Sequence, residues 1–501
     1  ADSLRTILPE MIAEQNEVIE IGSLRRLKSL TFASGIRNAM RERSLQDRTE
    51  LQNQLRESGV AARDLTSDRN RQLQFVRDLA SGGMPQLALH VLQSVVPEDN
   101  DVGGELTRQQ IQFEMMRTGT DDGATVRALL DHWLANSDLS MIRAIHAEFI
   151  APDVKSPFNN QRMVTAAAMI NQPVMEAWFS EHADAVAPEI SGWGLTAKIE
   201  QSDHRTVMPQ QKLPHDIPDM AVPLFGSPGK FRGWSFAVLY QQQKFAAYDA
   251  EGRICWTLPV PGAGEGLSDL SPSDSYSTAS GHLLLLNLDG RIYSLDTSHL
   301  KERTEGDEQV LEPRGLWSLQ LDSVSADPDA ADYRSYVEPA DRILQFAPQL
   351  SGYYPVAPVT QTAVALIAGR RLLVFDTLSG RLMWQVDEVP GDAVLLTTPD
   401  AVLVMSEDSR QIESRDLLDG KVLHVSGFPE WWDEATGNVG SSVSDFPIEP
   451  GENLLWRIAI QGQSCVLFRL ETTRSSLECR DLMTDAVTRP IDPPAHSVFS
   501  Y

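Results

Sequence analysis

The spacing of apolar residues changes along the chain, from a helical period in the first part to strand alternation in the last. Residues 1–190 carry apolar residues three and four positions apart, which predicts amphipathic helices. From Phe231 onward the period falls to two, which predicts β-strands. The helical stripes are Leu24, Leu27 and Leu30; Leu73, Val76 and Leu79; Leu87, Val91, Leu92 and Val95; Val126, Leu129, Leu130 and Trp133; Ile142, Ile145 and Phe149; Met163 to Ile170; and Val174 to Phe179.

Helix signals in the first part favour an array of short helices. The second stripe stops at Gly82-Gly83, and Pro85 opens the next helix. The charged stretch MRERSLQDRTELQNQLRE (residues 40–57) predicts a long exposed helix or a short coiled coil. Successive helices with short loops indicate either tetratricopeptide-like helical hairpins or an irregular bundle, and both remain open because no 34-residue self-similarity is evident.

A proline-rich segment separates the two parts. Residues 201–230 have no clear period, which indicates a linker. We therefore predict a multidomain chain with a helical region at 1–190, a linker at 191–224 and an all-β region at 225–501. Ala221–Phe225 and Ser497–Tyr501 are candidates for a closing strand, because an open ring leaves unpaired edges.

One short pattern recurs through the all-β region. In FDTLSGRLMWQ a strand ends at Asp376, Gly380 lies in the turn, and Trp384 follows on the next strand. Five copies of strand–turn–strand–Asp–turn–strand occur, the closest pair about 40 residues apart, as in four-stranded antiparallel propeller blades. The repeat positions are Asp249, Gly252 and Trp256; Asp296 and Trp317; Asp376, Gly380 and Trp384; Asp416 and Gly420, with His424 in place of Trp; and Asp481 alone.

The residue types of this pattern have packing roles that need no ligand. An Asp carboxylate accepts hydrogen bonds from turn N–H groups, and Gly supplies a positive φ. A Trp on the outer strand covers apolar surface of the next blade. We therefore assign no catalytic, cofactor-binding or metal-binding residue among these positions.

The pattern resembles the repeat of quinoprotein-type, or PQQ-like, β-propellers, which share a WD40-like architecture. That class includes pyrroloquinoline-quinone (PQQ) dehydrogenases and the cofactor-free scaffold lipoprotein of the outer-membrane β-barrel assembly machine. The segments YYPVAPVTQTAVALIAGRRLLVFD and GHLLLLNLDGRIYSLD look most like propeller regions of large multidomain bacterial proteins of undefined function. The resemblance implies a propeller over about 225–501, and it slightly favours the cell envelope or periplasm.

The resemblance leaves enzyme and scaffold as alternatives. Quinoprotein alcohol dehydrogenases hold PQQ against a ring of two adjacent bonded cysteines beside Ca²⁺, whereas Cys255, Cys465 and Cys479 are nowhere adjacent. We therefore predict a non-enzymatic protein-interaction or scaffold module without a cofactor. The alternatives are a PQQ- and Ca²⁺-dependent dehydrogenase and an envelope receptor for carbohydrate or peptide.

Charge and composition limit the classes of partner that the chain is expected to bind. The 501 residues have a net charge of −27, which disfavours nucleic acid and anionic membranes as partners. No apolar run approaches the roughly 18 residues of a membrane helix, so protein partners are expected, with the oligomeric state open. ADSLRTILPEM does not resemble an intact signal peptide, so the chain is expected to be processed or part of a longer protein.

Three further groups of residues are candidates for a metal site, an interaction surface and a disulfide. Asp327, Asp329 and Asp332 lack the glycine and glutamate of a calcium loop, so an acidic surface loop is the prediction there. Trp431 and Trp432 form a candidate interaction surface, with packing of an inserted loop as the favoured alternative. Cys465 and Cys479 flank a predicted hairpin turn, where a cross-strand disulfide is an open but disfavoured option.

Overall fold

The computed structural model describes the chain in segments. The described residues are 2–60, 65–95, 102–118, 123–135, 142, 166–182, 220–222, 237–241, 244–248, 254–259, 275–280, 283–288, 291–305, 308–320, 362–368, 370–390, 393–397, 401–406, 409–428, 455–461, 464–470, 475–481 and 487–491. Every structural statement below concerns these residues.

The described part of residues 1–190 is mainly helical, as predicted. Its eight helices are α1 (Asp2–Ala13), α2 (Lys28–Arg41), α3 (Leu45–Ser58), α4 (Arg69–Ser81), α5 (Pro85–Val95), α6 (Val102–Thr118), α7 (Gly123–Ala135) and α8 (Ala166–Glu181). The helices predicted from the Leu73, Leu87 and Val126 stripes are confirmed as α4, α5 and α7. Residues 166–170 of the first of the two last patches and all of the second belong to one helix, α8, which contains Pro173, whereas residues 163–165 lie outside the described residues. Helix α6 was not predicted, and Ile145 and Phe149 lie outside the described residues.

The prediction of one long exposed helix over residues 40–57 is wrong. Helix α2 ends at Arg41, and Ser44 caps α3 by accepting a hydrogen bond from the Asp47 backbone N–H. Helix α3 is also partly buried, since Gln52 is among its buried residues. The Gln52 Oε1 atom accepts hydrogen bonds at 3.1 Å from the backbone N–H groups of Gln86 and Leu87. Those N–H groups belong to the first turn of α5, which has no helical acceptors for them.

Helices α6, α7 and α8 enclose an apolar core. Trp178 of α8 is fully buried, and its Nε1–H donates to Asp131 Oδ1 at 2.7 Å. The hydrogen bond satisfies the indole N–H that burial removes from water. The core residues are Phe113, Met116, Val126, Leu130, Trp133, Ile142, Met175 and Trp178. Sequence neighbours α4 and α5, α5 and α6, and α7 and α8 pack together, and α4 also packs on α6.

The prediction of a helix at Leu24 and Leu27 is wrong. Residues 18–27 form a β-hairpin of β1 (Val18–Ile21) and β2 (Leu24–Leu27), joined by a turn in which Gly22 has φ of 62°. Only Leu30 of that stripe is helical, in α2. The three-residue spacing spans a strand end and a helix start, so it does not mark one helix face.

The remaining strands form antiparallel sheets. Sheet A contains β3 (Met220–Val222), β4 (Ala237–Gln241), β5 (Lys244–Tyr248) and β6 (Ile254–Pro259); sheet B contains β7 (Ser275–Ser280), β8 (Leu283–Leu288), β9 (Arg291–Glu305) and β10 (Glu308–Gln320); sheet C contains β11 (Ala363–Ala368), β12 (Arg371–Asp376) and β13 (Leu382–Val386), extended by β2 and β1; sheet D contains β14 (Val394–Thr397), β15 (Ala401–Ser406), β16 (Gln411–Asp416) and β17 (Val422–Gly427); and sheet E contains β18 (Leu455–Gln461), β19 (Ser464–Leu470), β20 (Ser475–Asp481) and β21 (Val487–Ile491).

The end of the predicted linker and the number of strands in sheet C differ from the prediction. Met220–Val222, within the predicted linker, pairs with β4 as the first strand of sheet A. The segment therefore belongs to a four-stranded sheet, and residues 223–225 of the closing-strand candidate lie outside the described residues. Sheet C also departs from four strands, because two of its five come from the N-terminal hairpin. Ser497–Tyr501 lies outside the described residues.

The chain divides into two compact units. One contains Ala1–Pro9, Arg37–Ala151 and Thr165–Leu319; the other contains Glu10–Ile36, Pro152–Val164 and Gln320–Tyr501. The N-terminal hairpin is thus part of the same unit as sheets C, D and E. Residues 18–27, which fall in the predicted helical region, are therefore strands of a sheet in that unit.

Candidate interaction site at the N-terminal hairpin

The repeated Asp has the same strand register in four sheets. Asp296, Asp376, Asp416 and Asp481 each pair with the first residue of the preceding strand. The pairing with the following strand slips in sheets A, C, D and E between the two residues before the Asp, that is before Asp249 in sheet A. A bulge bends its strand and increases the local twist, and these four sheets have one at the same place relative to the Asp.

Residues opposite one another across the bulge also match. Trp256, Trp384, His424 and Arg489 each pair with the residue two positions before the Asp of their sheet. The four residues are therefore register equivalents, although only two are Trp. The repetition is one of geometry as well as of sequence.

Asp376 and Asp416 organise the turns that follow them. Asp376 Oδ1 accepts hydrogen bonds from the backbone N–H groups of Leu378 (3.1 Å) and Ser379 (2.7 Å). Asp416 Oδ1 accepts one from the Leu418 N–H at 2.8 Å. The turns contain Gly380 and Gly420, with φ of 67° and 71°, where the left-handed region favours glycine.

Trp384 joins sheet C to the turn of sheet D. Its side chain is 1% exposed, and its Nε1–H donates to the Leu417 carbonyl oxygen at 2.9 Å. A Cβ placed on Gly420 would lie 2.7 Å from Trp384 Cδ2 and 2.8 Å from Leu24 Cδ1. The indole and Leu24 therefore both press on a turn that only glycine fits.

The N-terminal hairpin attaches to sheet C by strand addition. Strand β2 pairs antiparallel with β13, with Arg26 opposite Trp384, Arg25 opposite Gln385 and Leu24 opposite Val386. The Asp387 backbone N–H donates to the Ser23 carbonyl oxygen at 3.0 Å, which extends the pairing into the hairpin turn. Sheet C thus uses its last strand to bind a segment about 360 residues away along the chain.

A buried ion pair fastens the hairpin to sheet D. Arg26 Nη1 donates to Asp419 Oδ2 at 3.0 Å and to the Asp419 carbonyl oxygen at 3.3 Å. The two side chains are 5% and 2% exposed. Asp419 Oδ1 also accepts a hydrogen bond from the Lys421 backbone N–H at 3.1 Å.

Burial raises the pKa of the Asp419 carboxyl above its ordinary value, and the Asp416 charge adds to the rise. The Lys421 N–H, the Arg26 charge and a hydrogen bond from Ser34 act in the opposite direction. The attraction of Arg26 is therefore one of three contributions that favour the charged form of this buried carboxyl.

Gly420→Ala is expected to lower the free energy of unfolding by about 2–4 kcal/mol. Roughly 1 kcal/mol comes from the positive φ, and about 1–3 kcal/mol from overpacking against Trp384 and Leu24. Gly22→Ala is the matched control, because Gly22 has φ of 62° and nothing within 4 Å of the added Cβ. Urea unfolding compares the two variants; equal losses would mean that the turn is not closed by Trp384.

Strand β1 is the described edge of sheet C. Val18 and Ile21 are 55% and 56% exposed, and no described strand pairs with the side of β1 away from β2. Glu20 forms an exposed ion pair with Arg25 (2.9 Å), and Glu17 forms one with Lys28 (3.3 Å). The hairpin therefore presents an exposed backbone edge with apolar and acidic side chains.

A cleft of about 180 Å³ lies beside the hairpin turn. Its polar lining includes Asp387, Glu388, Glu413 and Arg415. Arg415 pairs with Glu413 at 2.5 Å, and Arg371 pairs with Asp387 at 3.3 Å. Asp387 and Glu413 are thus engaged by neighbouring arginines.

The other predicted residues are placed as follows. Trp256 is buried at 2% exposure and Asp296 is fully buried, whereas Trp317 is only partly buried. Asp481 ends β20. Asp249, Gly252, Trp431, Trp432, Asp327, Asp329 and Asp332 lie outside the described residues.

The two C-terminal cysteines are not cross-strand partners. Cys465 pairs with Arg480, and Cys479 pairs with Val466. The two cysteines are therefore not directly opposite each other, as a cross-strand disulfide between paired positions requires.

Sequence reasoning missed the hairpin and the ion pair of Arg26 with Asp419. The dipeptide Gly22-Ser23 between alternating apolar and polar residues is a two-residue hairpin signal that identifies β1 and β2. No sequence signal links Arg26 to a carboxylate almost 400 positions later.

The described residues contain neither a membrane-spanning helix nor a metal-binding cluster. Within these segments, no helix has the length and apolarity required to cross a membrane. Nor do the described side chains include a group of three or more His, Cys, Asp or Glu suited to a metal ion.

The comparisons with known proteins give limited likenesses. No protein-family profile and no curated protein matches the chain. Among solved structures, it is similar to BamB from Moraxella catarrhalis (15% identity, TM-score 0.25, 56% of this chain and 62% of that one). It is also similar to apo AztD from Citrobacter koseri (11% identity, TM-score 0.24, 52% of this chain and 57% of that one). A third similar structure is the β-propeller domain of Cps50 (Swd1) from Myceliophteria thermophila (12% identity, TM-score 0.24, 52% of this chain and 70% of that one).

The chain spans less than two thirds of the BamB and AztD structures. The neighbours include a β-propeller domain. The architecture established by strand pairing is a helical region and several antiparallel sheets.

Proposed function

We propose that the chain is a non-enzymatic protein-interaction or scaffold module whose sheets are blades of a PQQ-like β-propeller. The propeller proposal is supported by the repeated Asp register, the repeated bulge, and the packing of Trp384 on the turn of sheet D. Propeller blades repeat in this way because each buries apolar surface against the next.

The observation that carries the interaction proposal is the addition of β2 to β13. This addition supports the proposal because strand addition to a sheet edge is a known mode of peptide recognition, in which backbone hydrogen bonds provide affinity and side chains provide specificity. The signature residues Asp376, Asp416 and Trp384 are meanwhile engaged in turns and packing, so they are not available as cofactor ligands.

The experiment that tests this function is site-specific photo-crosslinking in cells that naturally contain the protein. The photoreactive residue replaces either Val18 or Val425, which are 55% and 46% exposed on different sheets. The expected result is a crosslinked partner that, when purified, reconstitutes a stoichiometric complex with the full chain. Failure of every crosslinked protein to bind the purified chain would contradict the proposal.

The full chain incubated with PQQ and Ca²⁺ is expected to show no oxidation of alcohols or aldoses with an artificial electron acceptor. The reason is that the described repeat residues are used in packing and that the three cysteines are not adjacent in sequence. A quinoprotein dehydrogenase assayed in parallel is the positive control. Reproducible turnover that disappears on Ca²⁺ chelation would establish the enzyme alternative instead.

A further inference from the structure

We propose that the free edge of β1 is an acceptor for one strand of a partner protein, and that this strand carries basic residues opposite Glu17 and Glu20. The inference rests on the proposed interaction function and identifies a surface and a partner chemistry for it. A partner strand at this place would become the sixth strand of sheet C, next to β1.

The backbone of β1 supplies the hydrogen-bonding groups for such a strand. The Lys28 N–H donates to the Glu17 carbonyl oxygen at 2.8 Å, and antiparallel pairing alternates hydrogen-bonded and non-hydrogen-bonded pairs. The Val18 and Glu20 backbone groups therefore point away from β2. No described strand accepts them, so a partner strand finds two N–H and two carbonyl groups on this edge.

The side chains of β1 specify what pairs with it. Glu17 and Glu20 point to opposite faces of the sheet because side chains alternate along a strand. Val18 is on the same face as Glu20 and Ile21 on the same face as Glu17, and both apolar side chains are more than half exposed. A strand lying antiparallel to β1 is therefore complementary when it places a basic residue opposite each glutamate and apolar residues opposite Val18 and Ile21.

The chain already contains a strand of this chemistry on the other side of β1. Strand β2 places Leu24 opposite Ile21, Arg25 opposite Glu20 and Leu27 opposite Val18. Lys28 then follows beside Glu17. The sequence Leu-Arg-Arg-Leu-Lys is thus a demonstrated complement of β1, and the partner strand on the free edge has the same order of apolar and basic positions.

A second copy of this chain is a poorer occupant than a basic partner. Its own β1 would bring Glu17 and Glu20 to the same edge, and each chain has a net charge of −27. Acidic side chains on an edge strand discourage pairing with an identical edge, but they attract a basic strand.

The test uses the full chain and a fluorescent peptide with the sequence of residues 23–29, Ser-Leu-Arg-Arg-Leu-Lys-Ser, blocked at both ends. Fluorescence anisotropy is expected to show saturable binding that weakens with added salt. A peptide with Glu at the three basic positions is the matched control, and it is expected not to bind. Equal binding of the two peptides would overturn the proposed charge recognition.

Two variants distinguish the contribution of the β1 backbone to peptide binding from that of the Glu20 side chain. Glu20→Pro removes an N–H that points away from β2, a position where edge strands tolerate proline, and it is expected to weaken binding about tenfold relative to Glu20→Ala, from the lost backbone hydrogen bonds. Glu20→Ala removes the same carboxylate and keeps the backbone N–H. Equal affinities of the two variants, at equal unfolding midpoints, would overturn strand addition.

The same crosslinking positions distinguish this inference from the proposed function. A reconstituted partner that crosslinks at Val18 supports both, whereas one that crosslinks only at Val425 overturns the β1 site and leaves the interaction module standing. A mass of two chains in light scattering, lost in Glu20→Pro, would identify a second copy as occupant and overturn the basic partner.

Discussion

Trp384→Ala is expected to lower the free energy of unfolding of the unit that contains sheets C and D by about 3–5 kcal/mol, the usual cost of deleting a buried Trp. The ring is 1% exposed and presses on Gly420, and its N–H is bonded to the Leu417 carbonyl oxygen. Alanine leaves a cavity between the two sheets and an unsatisfied carbonyl. Urea unfolding, followed by tryptophan fluorescence and circular dichroism, measures the loss.

Two variants show which property of Trp384 matters. Trp384→Phe keeps an aromatic ring and loses the hydrogen bond, so it is expected to cost about 1–3 kcal/mol. Trp317→Ala removes a partly buried Trp at the corresponding place of the signature in sheet B, and it is expected to cost less than Trp384→Ala. A loss below about 1 kcal/mol for Trp384→Ala would show that the ring is not buried between sheets, and would reopen a ligand role.

Arg26→Met is expected to destabilise the same unit by about 3–5 kcal/mol at neutral pH, because it leaves the buried Asp419 carboxylate without its cation. Methionine keeps much of the aliphatic length of Arg, so the loss of packing is small. The double variant Arg26→Met with Asp419→Asn removes both charges, and it is expected to regain about half or more of the loss.

The pH dependence of Arg26→Met follows from the direction of the Asp419 pKa. Burial holds the folded pKa above the unfolded value, so the folded state binds more protons between the two values. Stability therefore rises as the pH falls through the folded pKa, and removal of Arg26 raises that pKa further. The difference between Arg26→Met and the double variant should shrink on acidification; a pH-independent difference would show that packing, and not charge, causes the loss.

The repeat and its turn chemistry were predictable from the sequence. Strand alternation, an Asp at the strand end and Gly in the turn follow local rules, because an Asp side chain reaches the N–H groups two and three residues on. Asp376 and Asp416 make these hydrogen bonds. The replacement of Trp by His424 was also visible in the sequence, and the register of His424 agrees with the alignment of the repeats.

The N-terminal hairpin shows where a local pattern misleads. Leu24, Leu27 and Leu30 have a helical spacing, but the first two lie in β2 and the third in α2. The Gly22-Ser23 turn was the stronger signal, because a glycine with positive φ followed by Ser favours a two-residue hairpin. Pairing with β13 then stabilises strands that are only four residues long, which are marginal by themselves.

By itself the sequence determined the helical and strand-rich regions, the repeated sheets and the turns that end their strands, since these depend on residues near one another in the chain. Only the tertiary structure decided that the hairpin of residues 18–27 extends sheet C and that Arg26 is buried against Asp419. The partners of an edge strand and of a buried charge are set by burial and by backbone groups left unpaired elsewhere. Those are properties of the folded arrangement, which no spacing along the chain records.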